Sequence, residues 1–230
     1  MTQTETPVII TDENYRSFPA VSNSDLGWLQ EYWMNKQQII DLRTAYANGT
    51  LIDAMITEPH KVDYFKLRVS GEDYLYTADE FTRAKEMKKA FLKDPFCAAF
   101  IKQCKFQHIS YNPAFPINYQ GFDFTLPAKC KWDLFRPDID LSGDIKSTAC
   151  TTQKQCEEAF RYFDYDRSRA WYMDLENRTN DIVIFISKVN FKVFKIPIKK
   201  GSALYNDGKE KYQEISFKQW YLFGELPAVA

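Results

Sequence analysis

Through much of the first hundred residues, apolar positions recur three and four apart, the period of a helix with one buried face. Ser22-Asn-Ser-Asp25 supplies cap residues ahead of Leu26, Trp28 and Leu29, so a helix is predicted to start there. A second helix is predicted over Lys36–Ala47, ended by Asn48-Gly49. A third, from Gly49-Thr50, carries Leu51, Ile52, Met55 and Ile56 as far as Pro59. Thr77-Ala-Asp-Glu80 reads as a capping box opening a long helix through Met87, Ala90 and Phe91, and Asp94-Pro95 restarts a helix that ends near Cys104. From about residue 105 the texture changes. Phe106–Tyr111, Asn118–Phe124, Ala128–Phe135 and Leu141–Ser147 are rich in β-formers and separated by Pro, Asn and Gly. Helical segments follow at Thr152–Tyr162 and Asp164–Asn177. Ile182–Lys188 and Phe191–Ile198 then read as a hairpin, and Lys209–Leu222 as a final helix. Helices, a β-meander, helices, a hairpin and a helix predict an α/β (α+β) core. No internal repeat, low-complexity tract or linker interrupts it. One domain over residues 1–230 is therefore expected, helical over about 20–105 and β-rich over about 106–200, with the last helix at about 205–224.

Composition narrows the chemistry. With 18 Phe, 14 Tyr and 5 Trp in 230 residues, burial is sufficient to offset chain entropy, which excludes disorder as the dominant state. Only eight glycines occur, where average usage of about 7% gives roughly sixteen. No G-x-G-x-x-G or G-x-x-x-x-G-K-[ST] phosphate cradle is present. Five cysteines with no C-x-x-C pair fit neither a disulfide framework, a zinc knuckle nor an iron–sulfur cluster, and two histidines make a histidine-rich metal site a poor fit. The first residues lack the basic and apolar regions of a secretory signal, and no apolar run approaches the roughly 20 residues of a membrane span. A reducing cytoplasm, with no membrane partner, is the expected setting.

The formal net charge of −1 argues at first against a nucleic-acid partner. It hides an asymmetry. Residues 182–220 hold eight lysines against Asp207, Glu210 and Glu214, a balance of +5 that leaves −6 elsewhere. A basic hairpin beside an acidic cleft suits phosphate-backbone binding, and the same lysines equally suit an ordinary solvated face.

The candidate chemistry lies in Lys129–Thr148. On a strand over Leu141–Ser147, Asp144 and Lys146 share one face while Ile145 enters the opposite layer. A carboxylate so placed can hold a hard cation, and a lysine beside it can orient an attacking water. Glu86-Met-Lys88 and Asp207-Gly-Lys209 repeat the acid-x-lysine spacing, the first in a helix pattern and the second in a predicted turn, so neither has the strand geometry. If Pro137–Asp140 form a four-residue turn, Arg136 faces Leu141 and Asp133 faces Asp144. Directly opposed side chains have Cβ atoms about 4.5–5.5 Å apart. Two carboxylates there repel unless a cation lies between them. The same register puts Asp138 in the turn, away from Asp144. A hairpin with a merely solvated polar face fits this spacing as well.

In this context the sequence resembles the PD-(D/E)XK nuclease superfamily, in particular the phage and prophage exonucleases related to exonuclease VIII (RecE) and, more distantly, lambda exonuclease. The resemblance runs from about Ser17 to Asn190. It rests on Phe18-Pro-Ala-Val-Ser-Asn-Ser-Asp-Leu26, Gly49-Thr-Leu-Ile-Asp-Ala-Met-Ile-Thr-Glu-Pro59, Lys131-Trp-Asp133, Gly143-Asp-Ile-Lys-Ser-Thr148 and Tyr165-Asp-Arg-Ser-Arg-Ala-Trp-Tyr172, in that order. It implies a restriction-endonuclease-like core, a central mixed β-sheet flanked by helices. The implied activity is a metal-dependent exonuclease acting on the ends of double-stranded DNA, in the 5′→3′ direction, in phage-type recombination. The implied cofactor is Mg²⁺ or Mn²⁺, held by Asp133, Asp144 and the Ile145 carbonyl, with Asp53 as a further oxygen donor. Lys146 would contact the attacking water and the scissile phosphate. Tyr165, Arg167, Arg169 and Tyr172 would line the DNA channel, although the i, i+7 spacing of the two tyrosines is also that of core positions and the arginines also suit salt bridges. A single-strand-annealing protein and a ring-shaped trimer or tetramer are the implied partners. Two positions depart from the pattern: Asp53 stands where the family has histidine, and Ser168 where it has glutamine. They motivate an alternative, a catalytically weakened DNA-binding or assembly module of the same fold.

Overall fold

In a computed structural model the described residues are 9–33, 43–67 and 74–224. The N-terminal helices are α1 (Asn23–Trp33), α2 (Arg43–Thr57), α3 (Val62–Leu67), α4 (Ala78–Lys93) and α5 (Pro95–Ile101). Strands β1 (Lys105–Tyr119), β2 (Phe122–Arg136) and β3 (Leu141–Thr148) follow, then α6 (Gln153–Tyr162), α7 (Tyr165–Leu175), β4 (Asn180–Ser187), β5 (Val193–Lys199) and α8 (Ala203–Phe223). Among these residues no helix is long and apolar enough to cross a membrane.

Local chemistry explains most boundaries. Thr77 and Glu80 form the reciprocal capping box at α4, and Thr152 and Gln155 form another at α6. Asp94 caps α5, its carboxylate accepting the Cys97 N–H, with Pro95 in the first helical position. Three sequence expectations are corrected. Asn48-Gly49 does not end a helix: α2 runs straight through, because burying Leu51, Ile52 and Met55 outweighs the roughly 1 kcal/mol that a mid-helix glycine costs. Residues 36–42 of the predicted second helix lie outside the described residues. The predicted strand Asn118–Phe124 is in fact the end of a long β1–β2 hairpin. Its turn, Gln120-Gly121, has positive φ at both residues (51° and 84°), the backbone that two-residue hairpin loops require. Finally, α8 starts at Ala203 under a Ser202 cap, so Asp207-Gly-Lys209 is helical and not a turn. The 3₁₀ turn Pro59–Lys61 and α3 were not anticipated.

The five strands form one sheet in the order β1-β2-β3-β4-β5, antiparallel throughout except for the parallel pair β3–β4. Helices cover both faces. Ile182, Ile184 and Ile186 of β4 face Ile52, Phe91 and Phe100 from α2, α4 and α5, together with Ile145 of β3. Val183 and Phe185 face the other layer, with Trp132, Phe160, Trp171, Tyr205 and Tyr212. This two-sided burial is why β4 reads as an unbroken apolar run.

The second layer depends on how closely α7 and α8 approach. A Cβ on Gly208 would lie 2.1 Å from the Asp166 carbonyl oxygen, so only glycine allows this crossing. About two turns further along α7, Asp174 accepts hydrogen bonds from the Tyr205 and Tyr212 hydroxyls, each at 2.5 Å, and pairs with Lys200 and Lys209. Lys195 pairs with Asp94, Lys211 with Asp164 and Asp166, and Lys218 with Glu214. Most of the C-terminal lysines thus balance the chain's own carboxylates, so much of the segment's excess positive charge is paired within the protein.

Gly208→Ala should lower unfolding free energy by at least about 2 kcal/mol in urea denaturation, because backbone must move to admit the methyl. Asp174 supplies a pH signature. Burial alone would raise its pKa, but the two tyrosine hydroxyls and then Lys209 outweigh burial and hold it below the usual carboxylate value of 3.8. A depressed carboxylate contributes stability above its unfolded pKa and loses it as pH falls through the folded one. Asp174→Asn should therefore cost about 1–3 kcal/mol at neutral pH. The gap to the parent should close below about pH 4, as read from urea midpoints across pH.

Candidate active site

The site forms where the sheet comes apart. Strands β2 and β3 pair through Arg136–Leu141, Phe135–Ser142 and Leu134–Gly143, the register expected from a Pro137–Asp140 turn. The next rung, Asp133 with Asp144, is not a ladder pair. The Asp133 carboxylate instead accepts the Ile145 N–H at 2.9 Å, a side chain standing where a backbone partner would be, and the strands diverge. In a strand the C=O of a residue points the same way as its N–H, so the Ile145 carbonyl faces the same seam. Through this opening Asp53 of α2 joins Asp133, Asp144 and Lys146. Its carboxylate accepts from Gln107 Nε2 at 3.1 Å, which also donates to Thr57 Oγ1 at 3.2 Å. Gln107 sits on β1 with φ 51°, an uncommon left-handed backbone for a strand residue. It falls at the rung opposite Asp133, where the β1–β2 ladder skips a pair.

Charge crowding shapes the behaviour of the cluster. Burial, and then the charges of Asp53 and Asp144, push Asp133 well above the usual carboxylate range. Burial pushes Asp53 up to about 6, with Lys146 holding it back and Asp144 adding to the rise. Asp144 goes the other way: burial is outweighed by Lys146 and Arg169, which keep it ionised. The Lys146 ammonium lies 2.5 Å from Asp144 Oδ2, and Asp144 with Asp133 outweighs burial to hold it protonated. That contact lacks the angles of a hydrogen bond, so Asp144 Oδ2 is buried with a charge beside it and no directed donor.

Asp144 is fixed from behind. Arg169 of α7, 1% exposed, donates from Nη1 to Asp144 Oδ1 at 3.0 Å and from Nε to Asp181 Oδ2 of β4 at 2.5 Å. Its guanidinium also stacks over the Tyr172 and Trp132 rings, 4.5 and 4.9 Å from their centroids.

Among the described residues no three His, Cys, Asp or Glu side chains are already closed around one ion position. The donor set still suits a hard divalent cation: three carboxylates, two of them raised by burial and then by neighbouring charge, a seam-facing carbonyl and one carboxylate oxygen without a donor.

The sheet and its helices match a crystal structure of a protein from Eubacterium rectale, provisionally described as an exonuclease. The TM-score is 0.64 at 16% identity, over 96% of this chain and 89% of that one. The chain shares that protein's fold. The α/β (α+β) core read from the sequence, with its mixed sheet and helical N-terminal part, is the one found. A phage-related exonuclease of Haemophilus somnus also aligns, over 76% of this chain and 83% of that one at 13% identity. Its TM-score of 0.39 is too low to carry weight. No protein-family model matches the chain, and no curated protein matches it as a relative.

Within this fold, Asp53, Asp133, Asp144, Ile145 and Lys146 lie together, although Asp133 accepts from the Ile145 N–H and does not face Asp144 as a ladder pair. Asp138 stays in the turn and pairs with Arg136. The channel-lining set does not come together. Arg169 is buried in its two ion pairs, and Arg167, also buried, donates from Nε to Asn23 Oδ1 at 3.0 Å and from Nη1 to Gln30. Both guanidiniums are occupied inside the protein, so neither reaches a DNA backbone. Tyr172 packs edge-on against Trp132, whereas Tyr165 lies beside Lys146, its ring 5.5 Å from Nζ. Ser168 donates only to the Tyr165 carbonyl. Sequence reasoning missed Asp181 and Gln107. An acid opening the apolar run Ile182–Ile186 was a usable signal for the first. Nothing in the sequence marks the left-handed backbone of the second.

Arg169→Met should destabilise the protein by about 3–5 kcal/mol, since it strands two buried carboxylates. Pairing it with Asp181→Asn should recover part of that loss, giving a coupling energy above about 1 kcal/mol in a double-mutant cycle of urea midpoints.

Proposed function

We propose that the chain is a metal-dependent exonuclease that hydrolyses phosphodiester bonds at the ends of linear double-stranded DNA, in the 5′→3′ direction, in phage-type recombination. The observation that carries this reading is the convergence of Asp53, Asp133, Asp144 and Lys146 on one seam of a fold shared with an exonuclease-like protein. Asp133, Asp144 and the Ile145 carbonyl would hold a Mg²⁺ or Mn²⁺ ion, with Asp53 contributing to it or to a second. When bound, such an ion neutralises charge on the phosphoryl oxygens and lowers the pKa of water.

The protein's own groups do the rest. Lys146 is held protonated, so it is a cation and a hydrogen-bond donor rather than a base. It orients the attacking water and the scissile phosphate. Ionised Asp144, fixed by Arg169, is the permanent anion of the site, while Asp53, raised to about 6 by burial, would be ionised by the cation it helps to hold. Gln107 and Thr57 hold the Asp53 carboxyl in place. The annealing partner and ring assembly implied by the resemblance belong to the same reading.

A second reading is a catalytically weakened DNA-binding module of the same fold. It is favoured by the direct Lys146–Asp144 contact, which places an ammonium where cation charge is needed.

Digestion of end-labelled linear duplex with Mg²⁺ separates the two. Cleavage should vanish with EDTA, and Lys146→Ala and Asp144→Asn should each lower the rate by at least about 10²-fold while duplex binding in EDTA persists. Activity indifferent to metal and to Lys146 would sink the nuclease reading. Binding without any parent cleavage would establish the second. Labels at the 5′ and 3′ ends report direction.

A further inference from the structure

A run of rings leads outward from Lys146. Tyr165 lies 5.5 Å from its Nζ; the Phe163 ring follows at 5.8 Å from Tyr165, and the Tyr162 ring at 4.9 Å from Phe163, edge to face. Tyr165 is half-buried, whereas Phe163 is 57% and Tyr162 81% exposed. Two large adjacent aromatics in water need a reason, and the turn that carries them is a built one. The next residue, Asp164, has a left-handed backbone (φ 51°) that separates α6 from α7. Its carboxylate is pinned by Lys211 Nζ at 2.8 Å and by Gln30 Nε2 at 3.2 Å. Contacts from α1 and α8 thus hold the turn in a form that presents both rings outward. Lys154, Glu158, Arg161 and Tyr162 share one exposed stripe of α6, and among the described residues Lys154 and Arg161 have no ion-pair partner.

We propose that Tyr162 and Phe163 form a stacking platform for the bases of an unpaired nucleic-acid strand whose backbone reaches Lys146. The occupant follows from the chemistry of the patch. Every nucleobase has a π-face that stacks on an aromatic ring irrespective of sequence, and cations beside the rings suit the phosphates. A base pair inside a duplex has both faces covered, so the platform favours a separated strand. The inference rests on the nuclease reading for the role of Lys146, and it adds that the strand is unpaired next to the site.

The test uses the full chain in EDTA, with a dye-labelled single-stranded oligothymidylate and a blunt duplex, followed by fluorescence anisotropy. Tyr162→Ala combined with Phe163→Ala should weaken single-strand binding by at least about tenfold and change duplex binding by less than about twofold. Tyr162→Phe, which keeps the ring, should bind as the parent does. A 2-aminopurine base in the strand should be quenched by the parent and not by the double variant. Unchanged single-strand affinity, or an equal loss on duplex, would overturn the platform. So would a drop in sedimenting mass of the double variant, which would assign the rings to contact between copies. A parent that stacks the strand but cleaves no DNA with Mg²⁺ would remove the nuclease reading and leave the platform. A parent that cleaves, with a double variant that binds normally, would remove the platform alone.

Discussion

The buried guanidinium of Arg169 is the interaction on which the site depends. One side chain of α7 joins the carboxylates of Asp144 on β3 and Asp181 on β4, the two strands that form the only parallel pair in the sheet. Three charges without water are costly to assemble, and each needs the other two. Two aromatic rings stacked on the guanidinium exclude solvent from it. Asp144 is consequently kept ionised and immobile on the face it shares with Lys146. The Lys146 ammonium touches one oxygen of this carboxylate, and Arg169 holds the other.

The same constraint separates the roles of the three acids. Asp144 is compensated by two cations, and its proton is lost well below neutrality. Asp133 and Asp53, without a comparable partner, are raised by burial and by the charges around them. One seam therefore contains a permanent anion, a permanent cation and two carboxyls that a divalent cation would ionise. This asymmetry comes from which helix lies behind each strand, not from the acids themselves. The aromatic run Tyr165–Phe163–Tyr162 starts beside the permanent cation and reaches open water, so the polar seam and the apolar rings meet at Lys146.

Much of this was legible from local patterns. Thr77-Ala-Asp-Glu80 and Asp94-Pro95 announce helix starts because capping is a contact between near neighbours in the chain. The Arg136–Leu141 register follows from counting turn residues. The acid-x-lysine face follows from the two-residue period of a strand. Where a choice depended on distant burial, local signals failed. Asn48-Gly49 looks like a stop, yet the buried face of α2 carries the helix through it. Asn118–Phe124 looks like a strand, yet the two positive φ angles at Gln120-Gly121 fold it into a hairpin. The arginines of α7 illustrate the limit most clearly. Tyr165-Asp-Arg-Ser-Arg169 offers two cations on a helix and does not say which way they point, and packing turned both inward.

The sequence by itself determined most of the helix starts, the shared strand face of Asp144 and Lys146, and the Arg136–Leu141 register across the turn between β2 and β3. Each of these is a relation between residues a few positions apart, governed by backbone periodicity. Only the tertiary structure decided that β2 and β3 part beyond Leu134–Gly143 and that Asp53 enters the opening from α2. It alone placed Gln107 on Asp53, and Asp181 with Asp144 on a single guanidinium. Those contacts join residues as much as 91 positions apart, as Asp53 and Asp144 are. They exist because two helical layers close on opposite faces of one sheet, a cooperative outcome that no local period encodes.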